Sequence, residues 1–239
     1  MPDILLEVCV EDATGLAAAI RGGAGRIELC SALALGGLSP SPGLMAEAAR
    51  SPIPAMAMIR PRAGGFLWSS EDLRQMKADI AAARAAGLAG VVLGASRPDG
   101  RLDEWMLATL LAEAEGMDTT LHRCFDLTPD KGQALETAIA LGFRRILTSG
   151  GAPTAPEGAE TLARLMDQAA GRIILLPGSG IRPETLPAIA HLPLREIHAS
   201  CSMPEAEGAA IAAFGFGPPE RRITSEPAVR ALKAALRLL

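Results

Sequence analysis

The chain has 239 residues, 49% of them hydrophobic, and its 23 basic and 27 acidic side chains give a formal net charge of -4. That length suits one large domain with a sizeable core. The small negative charge, without any basic tract, excludes a nucleic-acid or membrane-surface binder, and no apolar run approaches the ~18 residues expected of a membrane span.

Eight short apolar runs recur along the chain and predict strands at 4–9, 25–30, 54–60, 89–94, 119–123, 144–149, 172–177 and 195–200. Alanine-rich stretches of helical period alternate with them. In order they are Asp12–Arg21 (closed by Gly22-Gly23), the short Gly43–Arg50, and Glu71–Ala86, entered through Ser69-Ser70 and closed by Gly87. Asp103–Glu115, Pro129–Leu141 (closed by Gly142), Ala159–Gln168, Pro183–His191 and a tail helix Pro227–Leu238 complete the set. The glycine- and proline-rich stretch Ser202–Arg222 admits a lid, a dimer contact or ordinary surface, and is read as surface. Eight strand–helix alternations predict an α/β chain, a single (β/α)8 TIM barrel spanning 1–239. No GxGxxG follows the first strand, which argues against a dinucleotide-binding sheet.

Side-chain alternation sorts each strand into two faces. Leu6 and Val8 oppose Glu7 and Cys9. Ile27 and Leu29 oppose Arg26, Glu28 and Cys30, while Ile197 and Ala199 oppose Glu196, His198 and Ser200. The outer face of a barrel strand packs on helices and must be apolar, so the polar sets point into the lumen near its C-terminal mouth. Arg60, in step with Met56 and Met58, and His122, in step with Thr120, join them. Burying so many charged groups is costly unless they pair with one another or with a ligand. An internal network of Arg26 with Glu7 and Glu28 would account for part of the set. His191, at a helix end, is read as surface.

Three loops carry anion-binding chemistry. Arg60-Pro61-Arg62-Ala63-Gly64-Gly65-Phe66 sets two guanidiniums beside a flexible turn, and the guanidinium fork suits carboxylate or phosphate. Thr148-Ser149-Gly150-Gly151 and Gly178-Ser179-Gly180 offer hydroxyls and backbone amides, the latter just before a helix expected at Pro183. Arg60, Arg62, Thr148 and Ser179 are the candidate anion-binding residues. Cys9, Cys30, Cys124 and Cys201 are widely spaced in a chain with ample core. They read as reduced, small buried residues rather than disulfide staples. The opening MPDILLEVCVED has no basic segment ahead of an apolar one, which predicts no secretory leader and a cytoplasmic location.

Leu6-Glu7-Val8-Cys9, Arg26-Ile27-Glu28-Leu29-Cys30 and Gly36-Gly37-Leu38-Ser39-Pro40-Ser41 together resemble the opening of the CutC copper-homeostasis family. Ile59-Arg60-Pro61-Arg62 with Gly64-Gly65-Phe66, Leu121-His122-Arg123 with Phe125-Asp126, Leu147-Thr148-Ser149-Gly150, Gly178-Ser179-Gly180 and Glu196-Ile197-His198 extend the match in family order from residue 4 to about 202. The resemblance implies a TIM barrel, a homodimer, a cytoplasmic role in copper tolerance, and Cu(I) binding at the positions of Cys9 and Cys30. Soft thiolates suit Cu(I), and ends of adjacent strands would set the two sulfurs roughly 5–7 Å apart. Cys201 has outward parity if its strand continues and is not added to the pair, and Cys124 is read as incidental.

Two functions follow. One is copper handling, with Cu(I) on Cys9 and Cys30 at the barrel mouth and no organic cofactor. The other is an enzyme acting on a small anionic metabolite. In it Arg60 and Arg62 hold a carboxylate or phosphate, and Thr148 and Ser179 hold a second anionic group. His122 or His198 is the acid/base, with Glu7 or Glu28 as orienting group or partner base.

Overall fold

The computed structural model describes residues 4–239; the first three residues of the opening read above for a leader lie outside them. Strand and helix alternate as β1 (Leu5–Val10), α1 (Ala13–Gly22), β2 (Arg26–Leu29), α2 (Pro42–Ala48), β3 (Ala55–Met58), α3 (Ser70–Ala86), β4 (Gly90–Leu93) and α4 (Glu104–Glu113). They continue as β5 (Asp118–Leu121), α5 (Lys131–Ala140), β6 (Arg145–Thr148), α6 (Ala159–Ala169), β7 (Ile174–Pro177) and β8 (Glu196–Ala199). A hairpin of β9 (Ser202–Ala206) and β10 (Glu220–Thr224) carries the short α7 (Ala209–Ala213) between its strands, and α8 (Glu226–Leu236) ends the chain.

Local chemistry sets the boundaries. Ser69 caps α3 by accepting from Asp72 N–H while the Asp72 carboxylate accepts from Ser69 N–H, and Gly87 closes the helix in a left-handed conformation at φ 85°. Strands β1 to β7 pair in parallel with their sequence neighbours, and β8 returns to pair in parallel with β1. β7 and β8 lie side by side without a hydrogen-bonded ladder between them, so the TIM barrel is nearly closed. Its outward residues, among them Leu6, Val8, Ile27, Leu29, Val91, Leu93, Ile146 and Ile197, pack against Ile80, Leu107, Leu135, Leu162 and Leu232 of the helices. Burying that apolar layer is the main driving force for closure.

One expected helix does not form. The helix expected at Pro183–His191 reduces to one tight turn at Leu186–Ala188. Pro187 sits mid-segment, supplies no N–H, and stops the helix from propagating. Ser202–Arg222, read as surface, is largely exposed and folds as an antiparallel hairpin with Ser202 opposite Thr224. Its base forms part of the mouth rim through Ser202 and Arg222.

Candidate functional site at the barrel mouth

The floor of the lumen is a buried ion cluster. Register sets Glu7 opposite Arg26 and His198, and Cys9 opposite Glu28. Arg26 donates from Nε to Glu7 and from Nη2 to Glu196. Arg145 donates to the same Glu196 oxygen at 3.0 Å, to Asp118 at 2.8 Å and to Thr120 Oγ1 at 3.2 Å. Arg26 therefore pairs with Glu7 as expected, but its second carboxylate is Glu196 and not Glu28. Arg145 and Asp118 went unread in the sequence, although alternation along β5 and β6 puts them in step with Thr120 and Leu147.

Above that floor stand the groups expected to do chemistry. His198 Nδ1 lies 2.9 Å from Glu7 Oε1, and its Nε2 lies 3.8 Å from Glu28 Oε2. Cys9 Sγ, a Glu28 carboxylate oxygen and a His198 ring nitrogen all fall within 4.8 Å of one another. Burial opposes charge on His198, but Glu28, Cys9 and Glu7 outweigh it and raise its pKa well above the ordinary range. Burial also works against Glu7, yet His198 and Arg26 hold it down at about 2. Burial lifts Glu28 against the pull of His198, and its Oε1 meets no partner. Two neighbouring carboxylates are thus pushed in opposite directions.

Cys30 sits differently from the expectation. Its Sγ donates to Glu28 Oε2 at 3.6 Å, and it packs with Met56, Met58 and Val92, fully enclosed. It stands outside the Cys9, Glu28 and His198 group, because Cys9 faces Glu28 in the ladder while Cys30 lies one lumenal step higher. Burial, then the Glu28 carboxylate, push its thiol up. Cys201 reverses its expected parity. A left-handed backbone at φ 45° ends the strand alternation and turns this residue into the cavity wall. Cys124 is fully buried beside His122 and lines no part of the cavity.

The cavity over these groups has a volume of about 760 Å³. On its β3–β5 side, Arg60 donates from Nη1 to the carbonyls of Leu35 (2.8 Å) and Gly37 (2.9 Å) and from Nη2 to that of Gly64 (2.8 Å). His122 Nδ1 accepts from Cys124 N–H at 3.2 Å, which places the proton of the neutral ring on Nε2. Burial and the Arg60 charge outweigh the raising effect of a hydrogen bond to His122's own backbone and hold the His122 pKa at about 3. The Phe66 ring lies against both, 4.7 Å from the His122 ring and 5.2 Å from the Arg60 guanidinium carbon.

Gly94 makes room for this ring. A Cβ there would lie 2.4 Å from His122 Cε1 and 2.5 Å from Cys124 Sγ. Gly94→Ala is therefore expected to destabilise by about 1–3 kcal/mol, read as a lower urea midpoint with unchanged slope; a parent-like midpoint would show that the ring moves aside freely.

Of the other expected anion-binding residues, Arg62 and Thr148 stand apart from the cavity and only Ser179 lines it. Arg62 is exposed, paired with Asp72 through Nε (3.1 Å) and Nη2 (3.0 Å), and lies 4.9 Å over the Trp68 ring. The loop after β6 is already filled by the protein's own carboxylate. Asp126 accepts from Thr148 Oγ1 (2.5 Å), Ser149 N (3.1 Å), Ser149 Oγ (3.0 Å) and Gly151 N (3.0 Å). The Thr148 hydroxyl is thereby occupied and faces away from the lumen. Ser179 does line the cavity, with φ 75° and its hydroxyl donating to Pro153 O at 2.9 Å. Gly178 beside it serves packing, since a Cβ would meet Leu147 at 2.5 Å and His198 Cβ at 3.3 Å.

A parallel barrel with Cys9, Glu28, Arg60, His122 and His198 around a cavity at its mouth defines a TIM-barrel protein with a candidate ligand site at the C-terminal strand ends. The CutC family model matches residues 4–203, and the chain belongs to the CutC family. A CutC family protein of Rhizobium meliloti (strain 1021) is 58% identical over 238 residues, 99% of this chain and 97% of that one. The copper homeostasis protein cutC homolog of Mus musculus is 46% identical over 186 residues, 77% of this chain and 68% of that one. The crystal structure of a CutC protein from Streptococcus agalactiae superposes with a TM-score of 0.79 at 31% identity, covering 82% of this chain and 98% of that one.

Proposed function

We propose that this protein handles copper by taking Cu(I) at the barrel mouth, with Cys9 as the anchoring thiolate and His198 as its partner. The observation that carries this reading is the approach of Cys9 Sγ, His198 and Glu28 to within 4.8 Å of one another at the cavity wall. The donor set fits the ion: a thiolate and an imidazole are soft and borderline donors, and Cu(I) accepts low coordination numbers. Glu28 is a hard donor, better suited to receiving the proton that His198 must give up than to ligating. Cys30, 3.6 Å from Glu28, is the next sulfur in line. Its enclosure makes it a second ligand only after the Glu28 hydrogen bond breaks.

Anaerobic titration against a competing Cu(I) chelator tests this. Cys9→Ser is expected to weaken Cu(I) binding by about a hundredfold or more, ~3 kcal/mol, with the barrel's circular dichroism unchanged. Cys30→Ser should have a smaller effect. If Cys9→Ser binds Cu(I) as tightly as the parent, this reading of the site is wrong.

A further inference from the structure

We propose that the β3–β5 side of the same cavity binds a monocarboxylate with an apolar body, its carboxylate seated between Arg60 and His122. Two buried donors there have no partner in the protein: Arg60 Nε and His122 Nε2. Both residues line the cavity, and both are more than nine-tenths buried. An unmet buried donor carries a full desolvation cost, so two on one wall call for a shared acceptor.

Charge selects the kind of acceptor. Three main-chain carbonyls hold the Arg60 guanidinium, and among the described residues no carboxylate lies within ion-pair distance of it. Its Nε–H and one remaining Nη2–H form the open part of a fork that matches a planar carboxylate. His122, neutral, adds a donor without adding charge. Of the cavity's other arginines, Arg123 is held by Asp126, and Arg182 and Arg222 enter from the β7–β8 side, so the seat between Arg60 and His122 carries one positive charge, which one carboxylate balances. Leu33, Met58, Phe66, Leu147 and Ile181 are among the lining residues and suit an apolar body. Phe66 covers both donors and must turn aside for the carboxylate to meet them. It follows Gly64 and Gly65, around which the space is open. None of this uses Cys9 or the metal.

Thermal unfolding of the intact protein in benzoate, benzamide or inorganic phosphate tests the proposal. Benzoate is expected to raise the melting temperature by roughly 5 °C at a hundredfold excess over its dissociation constant, while benzamide and phosphate leave it unmoved. Arg60→Met should abolish the benzoate shift, and His122→Asn should weaken benzoate binding at least about tenfold. Arg62→Met, whose guanidinium faces away, should respond like the parent. No shift with benzoate, or an equal shift with benzamide or phosphate, overturns the proposal. So does a parent-like benzoate response in Arg60→Met, or in His122→Asn should Arg60→Met fail to fold. Cys9→Ser should keep the benzoate shift whatever its copper affinity, so the two ligands are judged separately.

Discussion

Replacing Arg26 by methionine is expected to destabilise the barrel by about 3–5 kcal/mol, the cost of stripping one partner from a buried ion cluster. Glu7 is fully buried and Glu196 nearly so, and each takes a guanidinium N–H from Arg26. Methionine fills much of the volume but donates nothing, so Glu7 is left with His198 and Glu196 with Arg145. Lost hydrogen bonds alone would cost less; most of the loss comes from removing one of the positive charges that balance the buried carboxylates in a dry lumen. The surface provides the contrast. Arg172 meets Glu136 at 2.7 Å with both side chains about half exposed, and Arg172→Met should change stability by less than about 1 kcal/mol. Urea unfolding of the two variants measures the difference through their midpoints. Equal midpoints would mean that water reaches the lumen floor and that the cluster is not a dry one.

The same cluster explains which parts of the site could be read from the sequence. Alternation along β1, β2 and β8 put Glu7, Cys9, Arg26, Glu28, Glu196 and His198 on the lumenal face, and all are there, because an outer face packed on helices tolerates no charge. Parity fixes a face but not a height or a partner. Hence Arg26 of β2 reaches across β1 to Glu196 of β8, and Cys30 donates to Glu28. Loops were harder, since parity ends with the strand. The left-handed Cys201 turns inward, and the glycine loop after β6, which looks like an anion cradle, is one whose anion is Asp126 of the preceding loop. Arg62 shares a motif with Arg60 yet answers to Asp72, the capping-box partner of Ser69 in α3. Only the pairing of distant residues decides such cases, and spacing along the chain does not encode it.

His122 should dominate the acid side of the stability profile. Its folded pKa lies at about 3 against an ordinary 6.5, because burial and the Arg60 charge disfavour the imidazolium by more than a bond to its own backbone favours it. Between those two values the unfolded chain binds a proton that the folded protein refuses, so unfolding is favoured as pH falls. The stability held by neutral His122 is complete above about pH 6.5 and is lost progressively toward pH 3. At pH 4.5 the loss amounts to about 3 kcal/mol, two pH units at ~1.4 kcal/mol each. Glu7, held at about 2, acts in the same direction but only below its ordinary 4.5. His198, with its pKa raised, contributes stability that is complete below 6.5 and is lost only as pH rises through its elevated value. Asparagine at 122 keeps an acceptor near Nδ1 for the Cys124 N–H and removes the titrating ring. His122→Asn should therefore be less stable than the parent at pH 7, while losing about 3 kcal/mol less between pH 7 and pH 4.5. Urea unfolding at the two pH values measures that double difference, in which the Glu7 and His198 contributions cancel. Parallel losses in parent and variant would mean that His122 already carries its proton in the folded barrel, and that the Arg60 side of the cavity is wetter than its packing implies.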